Sequence, residues 1–421
     1  KNDFAIAALA VGSTLTGEIA SLAYNAVPSV CRIFTHLTSF LEMRAALGVK
    51  PSGSGLKKCL CRWLLKNQNT ESVMRAALKY KNRQGWTWRD VLRVAHPKVV
   101  GDMNTFFKWV ISDKWEGEQV PKILEGYELA QKATEQSLPG IITNYSLERE
   151  MVPNTLFSKG AWTALLQNLG YTAVLRNLNN MSMYPDFDFN AIVAKLQNKE
   201  LLSKGKVHPL SIFVSRMQYA SGRGNFSDRT WKPSQKVIDA LDDAYENAFS
   251  FVEPTGKKIA VAVDCSASMS APASTNISCS QASGGIALTY CRLEPNTSFI
   301  KFGTASHDVT LSKRMSLADA FKTFDASMGG TDLAAPIRHL LTNKTQVDVL
   351  VILTDNETWA GSRHSTSEWK DYTSKYPKAK LVIASTCSNK FTAGDPKDPS
   401  ILQIVGFDAS IMDLIREFIS Q

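Results

Sequence analysis

The sequence predicts two architectures in one chain: an array of stacked helical hairpins over residues 1–252 and a doubly wound α/β domain over residues 257–421. Three observations carry this reading. Before residue 252, apolar side chains recur at spacings of three and four, with almost no alternating run of strand type. The texture then changes at a Pro/Gly linker, Val252-Glu253-Pro254-Thr255-Gly256-Lys257-Lys258. After it, continuous apolar runs alternate with helical stretches, as in a mostly parallel sheet covered on both faces. With 421 residues, 44% hydrophobic and 21% charged, the chain can fill two globular cores. No apolar run approaches the roughly 18 residues that a membrane helix needs.

In the first part, Leu56, Leu60, Trp63 and Leu64, then Val73, Ala77 and Leu78, mark successive helical faces. Phe106, Phe107, Val110 and Ile111, and later Trp162, Leu165, Leu166 and Leu169, continue the pattern. Breaks at Pro51-Ser52-Gly53, Gly85, Pro97, Gly117, Pro139-Gly140, Pro153, Pro185 and Pro209 leave helices of about 10 to 16 residues joined by short turns. Such an array predicts a HEAT-type stack of hairpins, although no fixed sequence period accompanies it. The run Phe4–Val11 imitates the apolar core of a signal peptide, but Asp3 precedes it and a helical pattern follows. It is expected to be a helix cut from a longer protein.

The net charge is +9, and it has a location. Residues 51–100 hold 11 basic and 2 acidic side chains, an excess equal to that of the whole chain. Residues 251–421 balance at 17 of each sign. A charge run is often a solvated helical face, but one this local, interleaved with aromatic residues, is the footprint of a polyanion site. The seven cysteines are scattered without a CxxC pair, which reads as reduced, structural thiols in a cytosolic protein.

In the second part the strands are expected at Ile259–Val263, 298–302, 348–354 and 380–386. Helices are expected at 285–292, 317–324, 333–341, 368–376 and 411–419. The first strand runs into Asp264-Cys265-Ser266-Ala267-Ser268. In an open α/β sheet, ligands gather at the carboxyl ends of the strands. One carboxylate and two hydroxyls there are hard oxygen donors, suited to Mg²⁺ first, or to Mn²⁺ or Ca²⁺. Gly329-Gly330-Thr331-Asp332 offers a further hydroxyl, and Thr354-Asp355 a second carboxylate. Alone, Asp-x-Ser-x-Ser is equally a helix N-cap, and only the two downstream loops lift it above that. A phosphoaspartyl hydrolase would want a second aspartate where Ser266 stands. No Ser/His/Asp, Cys/His, phosphate-loop or zinc spacing stands out, so no enzyme is expected.

The three loops resemble the von Willebrand A domain and its metal-ion-dependent adhesion site, with Asp264, Ser266, Ser268, Thr331 and Asp355 at the ligand positions. The resemblance extends along the chain. Ala262-Val263-Asp264-Cys265-Ser266-Ala267-Ser268-Met269, Thr354-Asp355-Asn356-Glu357-Thr358-Trp359-Ala360-Gly361, the linker and Gly406-Phe407-Asp408 look like the Ro autoantigen family. Val30-Cys31-Arg32, Thr35-His36-Leu37, Ala164-Leu165-Leu166 and Leu175-Arg176-Asn177-Leu178 resemble its TROVE module. That resemblance implies a ring of helical repeats clasped by the α/β domain, acting as a cytoplasmic, or also nuclear, monomer. It implies binding of Y RNAs and of the single-stranded ends of misfolded noncoding RNAs in RNA quality control. It places RNA contacts at Lys79 and His96, within the basic stretch; the charge of that stretch adds Lys81, Arg83 and Arg93 as candidates, and Arg176 is a further candidate outside it. Cations for phosphate and Tyr80, Trp86, Trp88 and His96 for stacking would suit single-stranded RNA. The bland readings are packing for Trp86 and Trp88, a satisfied helix end for His96 and a salt bridge for Arg176. The alternative function is a metal-dependent adhesion scaffold whose cation captures an acidic protein partner.

Overall fold

The structure is a computed structural model and describes residues 3–420 other than 68, 225–227, 275, 356–360, 362, 388–393 and 408–409. The motif residues Asn356-Glu357-Thr358-Trp359-Ala360 and Asp408 lie outside the described residues. Packing groups the chain into two units, Lys1–Leu169 and Gly170–Gln421. The division falls ahead of the linker at 252–258, because helices between 170 and 252 pack against the α/β part.

The first unit is built of helices from Asp3–Gly12 to Lys159–Asn168. Gly17–Val30 packs on Ser54–Leu65, which packs on Trp88–Ala95, which packs on Gly101–Ser112. Contacts between neighbours and next-but-one neighbours are what stacked hairpins produce. Each helix buries one stripe. In Ser54–Leu65 the residues Leu56, Cys59, Leu60, Trp63 and Leu64 are buried, while Lys57, Lys58 and Arg62 stay exposed. Trp63 and Trp88 both meet Phe34, the Trp88 ring lying stacked at 5.0 Å, so three aromatic rings close one end of this core.

One element departs from the helical expectation. β1 (Asn82–Arg83) and β2 (Trp86–Thr87) form an antiparallel hairpin. Its two turn residues, Gln84 (φ 51) and Gly85 (φ 76), are both left-handed, as a two-residue hairpin turn of primed type requires. Strands of two residues are too short for alternation to reveal them. Thr87 then starts the helix Trp88–Ala95 through a capping box with Asp90.

In the second unit, helices Tyr171–Ser182, Phe189–Leu196, Pro209–Ala220 and Gln235–Ala248 precede the sheet. Its strands are β3 (Ile259–Asp264), β6 (Thr297–Phe302), β7 (Ser306–Val309), β8 (Val349–Thr354), β9 (Lys380–Ser385) and β10 (Ile401–Val405). A short hairpin, β4 (Pro272–Ser274) and β5 (Ile277–Ser278), follows β3. The sheet order is β10-β9-β8-β3-β6-β7, parallel except for β7. β3 and β8 are buried along their whole length, which is why they read as unbroken apolar runs. β7 and β10 were not expected. Both are edge strands, and neither is buried along its length as β3 and β8 are.

Ile300, Phe302, Ile337, Leu350, Trp369 and Tyr372 belong to the core on one face of the sheet. The helix Cys279–Leu293 packs on the sheet, with 12 of its 15 residues buried. It starts six residues earlier than expected because Ser278 and Gln281 form a capping box. Its outer side meets Pro209–Ala220 so closely that a Cβ on Gly285 would lie 2.5 Å from the Phe213 ring. Tyr245 and Thr289 share a buried hydroxyl contact at 3.2 Å, and Arg292 pairs with Glu246 at 2.6 Å. No helix of the described residues is long and apolar enough to cross a membrane.

Candidate functional site

The basic stretch folds as a helix, a hairpin and a second helix. Lys79 closes Thr70–Lys79, half-buried, in an ion pair with Glu148. Burial works against its ammonium, but the hydrogen bond and charge of Glu148 outweigh it and hold the pKa above its ordinary value. Lys81 is exposed and donates to the Tyr127 hydroxyl at 2.6 Å. The Arg83 guanidinium lies 5.4 Å from the Tyr80 ring centre. Arg93 is exposed on Trp88–Ala95, and His96 caps that helix in a left-handed conformation (φ 46), also exposed.

Gln84 fixes the hairpin to the helix Phe34–Ala46. Its amide oxygen accepts from Thr38 Oγ1 at 2.7 Å and its amide nitrogen donates to Ser39 Oγ at 2.9 Å. Trp86 and Tyr80 are half-buried at the surface. Trp88 is only 4% exposed and belongs to the aromatic core, which takes it out of the stacking set. It also lines a cavity of about 260 Å³ together with Lys81, Arg89, Trp109 and Tyr127. Arg176 is exposed on Tyr171–Ser182 in the second unit, and among the described residues no ion pair reaches it. Tyr127 and Glu148, the partners of Lys81 and Lys79, have no signal in the sequence, because each lies more than forty residues from its lysine.

The three candidate metal loops gather where the strand order reverses. β3 lies between β6 and β8, and Asp264 and Asp355 follow the carboxyl ends of the adjacent strands β3 and β8. Asp264 is fully buried. Its Oδ1 accepts from the Ser266 amide at 2.9 Å and its Oδ2 from Thr354 Oγ1 at 2.8 Å. Burial, reinforced by the Asp355 charge and opposed by these hydrogen bonds, pushes its pKa up to about 6. The hydroxyls of Ser266 and Ser268 stand 3.1 Å apart. The second loop is tied to the first by Ala267 N donating to Gly329 O at 2.9 Å and Met328 N donating to Cys265 O at 2.8 Å. Thr331 and Asp355 are both buried. Asp332 is committed elsewhere: it accepts from the Ala334 amide and pairs with Arg338.

This donor set fits a small hard cation. The Ser266 and Ser268 hydroxyls, within hydrogen-bond distance of each other, are hard oxygens beside a carboxylate, the donor type that Mg²⁺, Mn²⁺ and Ca²⁺ take. Among the described residues no ion pair reaches Asp264, so its buried charge has only neutral donors around it. Among the described residues no group of three or more His, Cys, Asp and Glu is placed to hold a metal ion. Thr354 is the member that sequence reasoning passed over: it holds a carboxylate oxygen of Asp264 rather than serving only as the residue before Asp355.

Residues 258–419 match the family model of the Ro60 vWA domain, and residues 144–221 that of the TROVE domain. Over 414 residues the chain is 31% identical to the RNA-binding protein RO60 of Deinococcus radiodurans, covering 94% of this chain and 77% of that protein. Over 467 residues it is 27% identical to the RNA-binding protein RO60 of Caenorhabditis elegans, covering 94% of this chain and 72% of that one. The crystal structure of the Deinococcus radiodurans RO (RSR) protein superposes with a TM-score of 0.89 at 29% identity, covering 100% of this chain and 87% of that one.

Proposed function

The chain belongs to the Ro60 family, and on that premise we propose that it binds RNA through the basic helix–hairpin–helix of residues 79–96. The observation that carries the assignment is the concentration of Lys79, Lys81, Arg83, Arg93 and His96 on one short stretch, with Lys81, Arg93 and His96 exposed. Cations there neutralise phosphates, while Tyr80, Trp86 and His96 offer faces to unpaired bases. Arg176, on the second unit, is a separate candidate for a phosphate contact. The ligands in this reading are Y RNAs and the single-stranded ends of misfolded noncoding RNAs, bound by a cytoplasmic monomer with no catalytic step. The test is the affinity of Lys79→Ala with His96→Ala for a hairpin RNA carrying a single-stranded tail, measured across a salt series. A loss of tenfold or more is expected, and unchanged affinity at constant salt would remove the assignment.

A second reading concerns the other unit, and the buried carboxylate beside paired serine hydroxyls favours it. Asp264, Ser266, Ser268, Thr331 and Asp355 would hold a divalent cation, Mg²⁺ before Mn²⁺ or Ca²⁺. A bound cation would supply a Lewis-acidic point for an acidic group of a protein partner. Asp264→Ala or EDTA is then expected to abolish partner capture and to leave RNA affinity unchanged. A parallel loss of both would merge the two sites into one.

A further inference from the structure

We propose that Cys279 and Cys387 form an oxidative cross-linking site, closed by a peroxide, that clasps the two elements flanking the metal loops. Their sulfurs stand 3.1 Å apart although the residues are separated by 108 positions. A disulfide bond needs about 2.05 Å, so closure asks the sulfurs to approach by roughly 1 Å. Among the described residues no other two cysteine sulfurs make such a contact.

Both cysteines are held by backbone rather than floating on a surface. Cys279 is the first residue of its helix, fixed by the Ser278–Gln281 capping box and by its own amide donating to Ala271 O at 2.8 Å. Cys387 lies two residues past β9, with its sulfur 3.6 Å from Pro272 O. Each side leads back to the metal loops. Ala271 donates to Ser268 O at 2.8 Å. Thr386 donates its amide to Thr354 O at 2.8 Å, and Thr354 donates to Asp264. A covalent bond between the two sulfurs therefore joins the exit of the first loop to the strand beside the third.

The exposure of the pair orders the chemistry. Cys387 is partly exposed, and Cys279 is buried. Burial also keeps the Cys279 thiol protonated, with its pKa raised to about 12, so it is a poor first attacker. The Cys387 sulfur attacks one peroxide oxygen, the O–O bond breaks, and the sulfenic acid forms with release of one water. The Cys279 sulfur then attacks the sulfenic sulfur. The S–O bond breaks, the hydroxide leaves with the Cys279 proton as a second water, and the S–S bond is made. Two thiols are oxidised and one peroxide is reduced.

The experiment treats the native protein with a few equivalents of hydrogen peroxide, alkylates it and maps it without reductant. Free thiols are expected to fall from seven to five, with Cys279 and Cys387 in one linked peptide pair that dithiothreitol reverses. Cys279→Ser leaves a sulfenic acid on Cys387 that dimedone traps. The oxidised wild type melts at least about 5 °C above the reduced form, and Cys387→Ser shows no such difference. Seven surviving thiols, a different linked pair, sulfinic acid on Cys387 without a cross-link, or an unchanged melting temperature would each overturn the proposal. None of these outcomes depends on RNA or on a bound cation.

Discussion

Lys79 and Arg93 carry the same charge in different settings, and that difference separates their expected phenotypes. Arg93 is exposed; if it meets a phosphate as proposed, Arg93→Ala is expected to lower the slope of log affinity against log salt by about one. Lys79→Ala also strands Glu148, which in the proposed site would leave a carboxylate beside the RNA. It should weaken binding more than Arg93→Ala does, and the joint change Lys79→Ala with Glu148→Ala should recover part of the loss. Equal affinities for the two single variants would count against this ordering. Trp88 behaves oppositely. Stacked on Phe34 and almost fully buried, it is expected to cost about 3–5 kcal/mol of unfolding free energy as Trp88→Ala, read by urea titration. Composition located the cations because charge needs no fold to be counted. It could not tell Trp88 from Trp86, because only the packing of Phe34 and Trp63 decides which indole is inside.

Secondary structure was legible where burial was complete and obscure where it was partial. β3 and β8 announced themselves as apolar runs, while β7 and β10, at the sheet edges, did not. The β1–β2 hairpin was hidden by its brevity, and Gly85 was its one visible trace. At φ 76, with open space around its Cβ position, Gly85 is needed for conformation alone. Gly85→Ala is expected to cost about 1–2 kcal/mol, whereas Gly85→Asn, which tolerates that region, costs less. Calorimetry of both variants separates strain from crowding. His208 offers a pH test at the start of Pro209–Ala220. Its Nδ1 accepts from the Leu210 amide at 3.1 Å, and burial, aided by Arg416 and opposed by Asp413, lowers its pKa below the ordinary 6.5. The unfolded chain therefore binds the proton more readily. The stabilisation is complete above about pH 6.5 and is lost as pH falls below it. In His208→Asn, which can still cap, the stability measured by urea unfolding should fall less between pH 7.5 and 5.5 than in the wild type.

At the scale of the molecule, the change of texture at 252–258 marks a change of secondary structure and not the edge of a packing unit. Phe213 against Gly285, Tyr245 against Thr289 and Arg292 against Glu246 all lie across that linker but within Gly170–Gln421. A fragment of residues 170–421 is expected to fold and stay soluble. One of residues 257–421 would expose the face of Cys279–Leu293 that Phe213 covers, and it should aggregate or melt at lower temperature. Comparable melting temperatures for the two fragments would contradict this. The sequence could not have indicated the shared boundary, because Gly285 appears as a small residue in a helix and gives no sign of the ring against it.

That crowded helix has a consequence for how the protein opens. A helix buried on nearly all sides has no face from which it can fray, so its amides exchange with solvent hydrogen only when its surroundings come apart. Residues 280–291 should therefore be among the slowest to take up deuterium. The slow clock should be shared by the inward side of Pro209–Ala220, a segment that chain position alone would assign to a different folding unit.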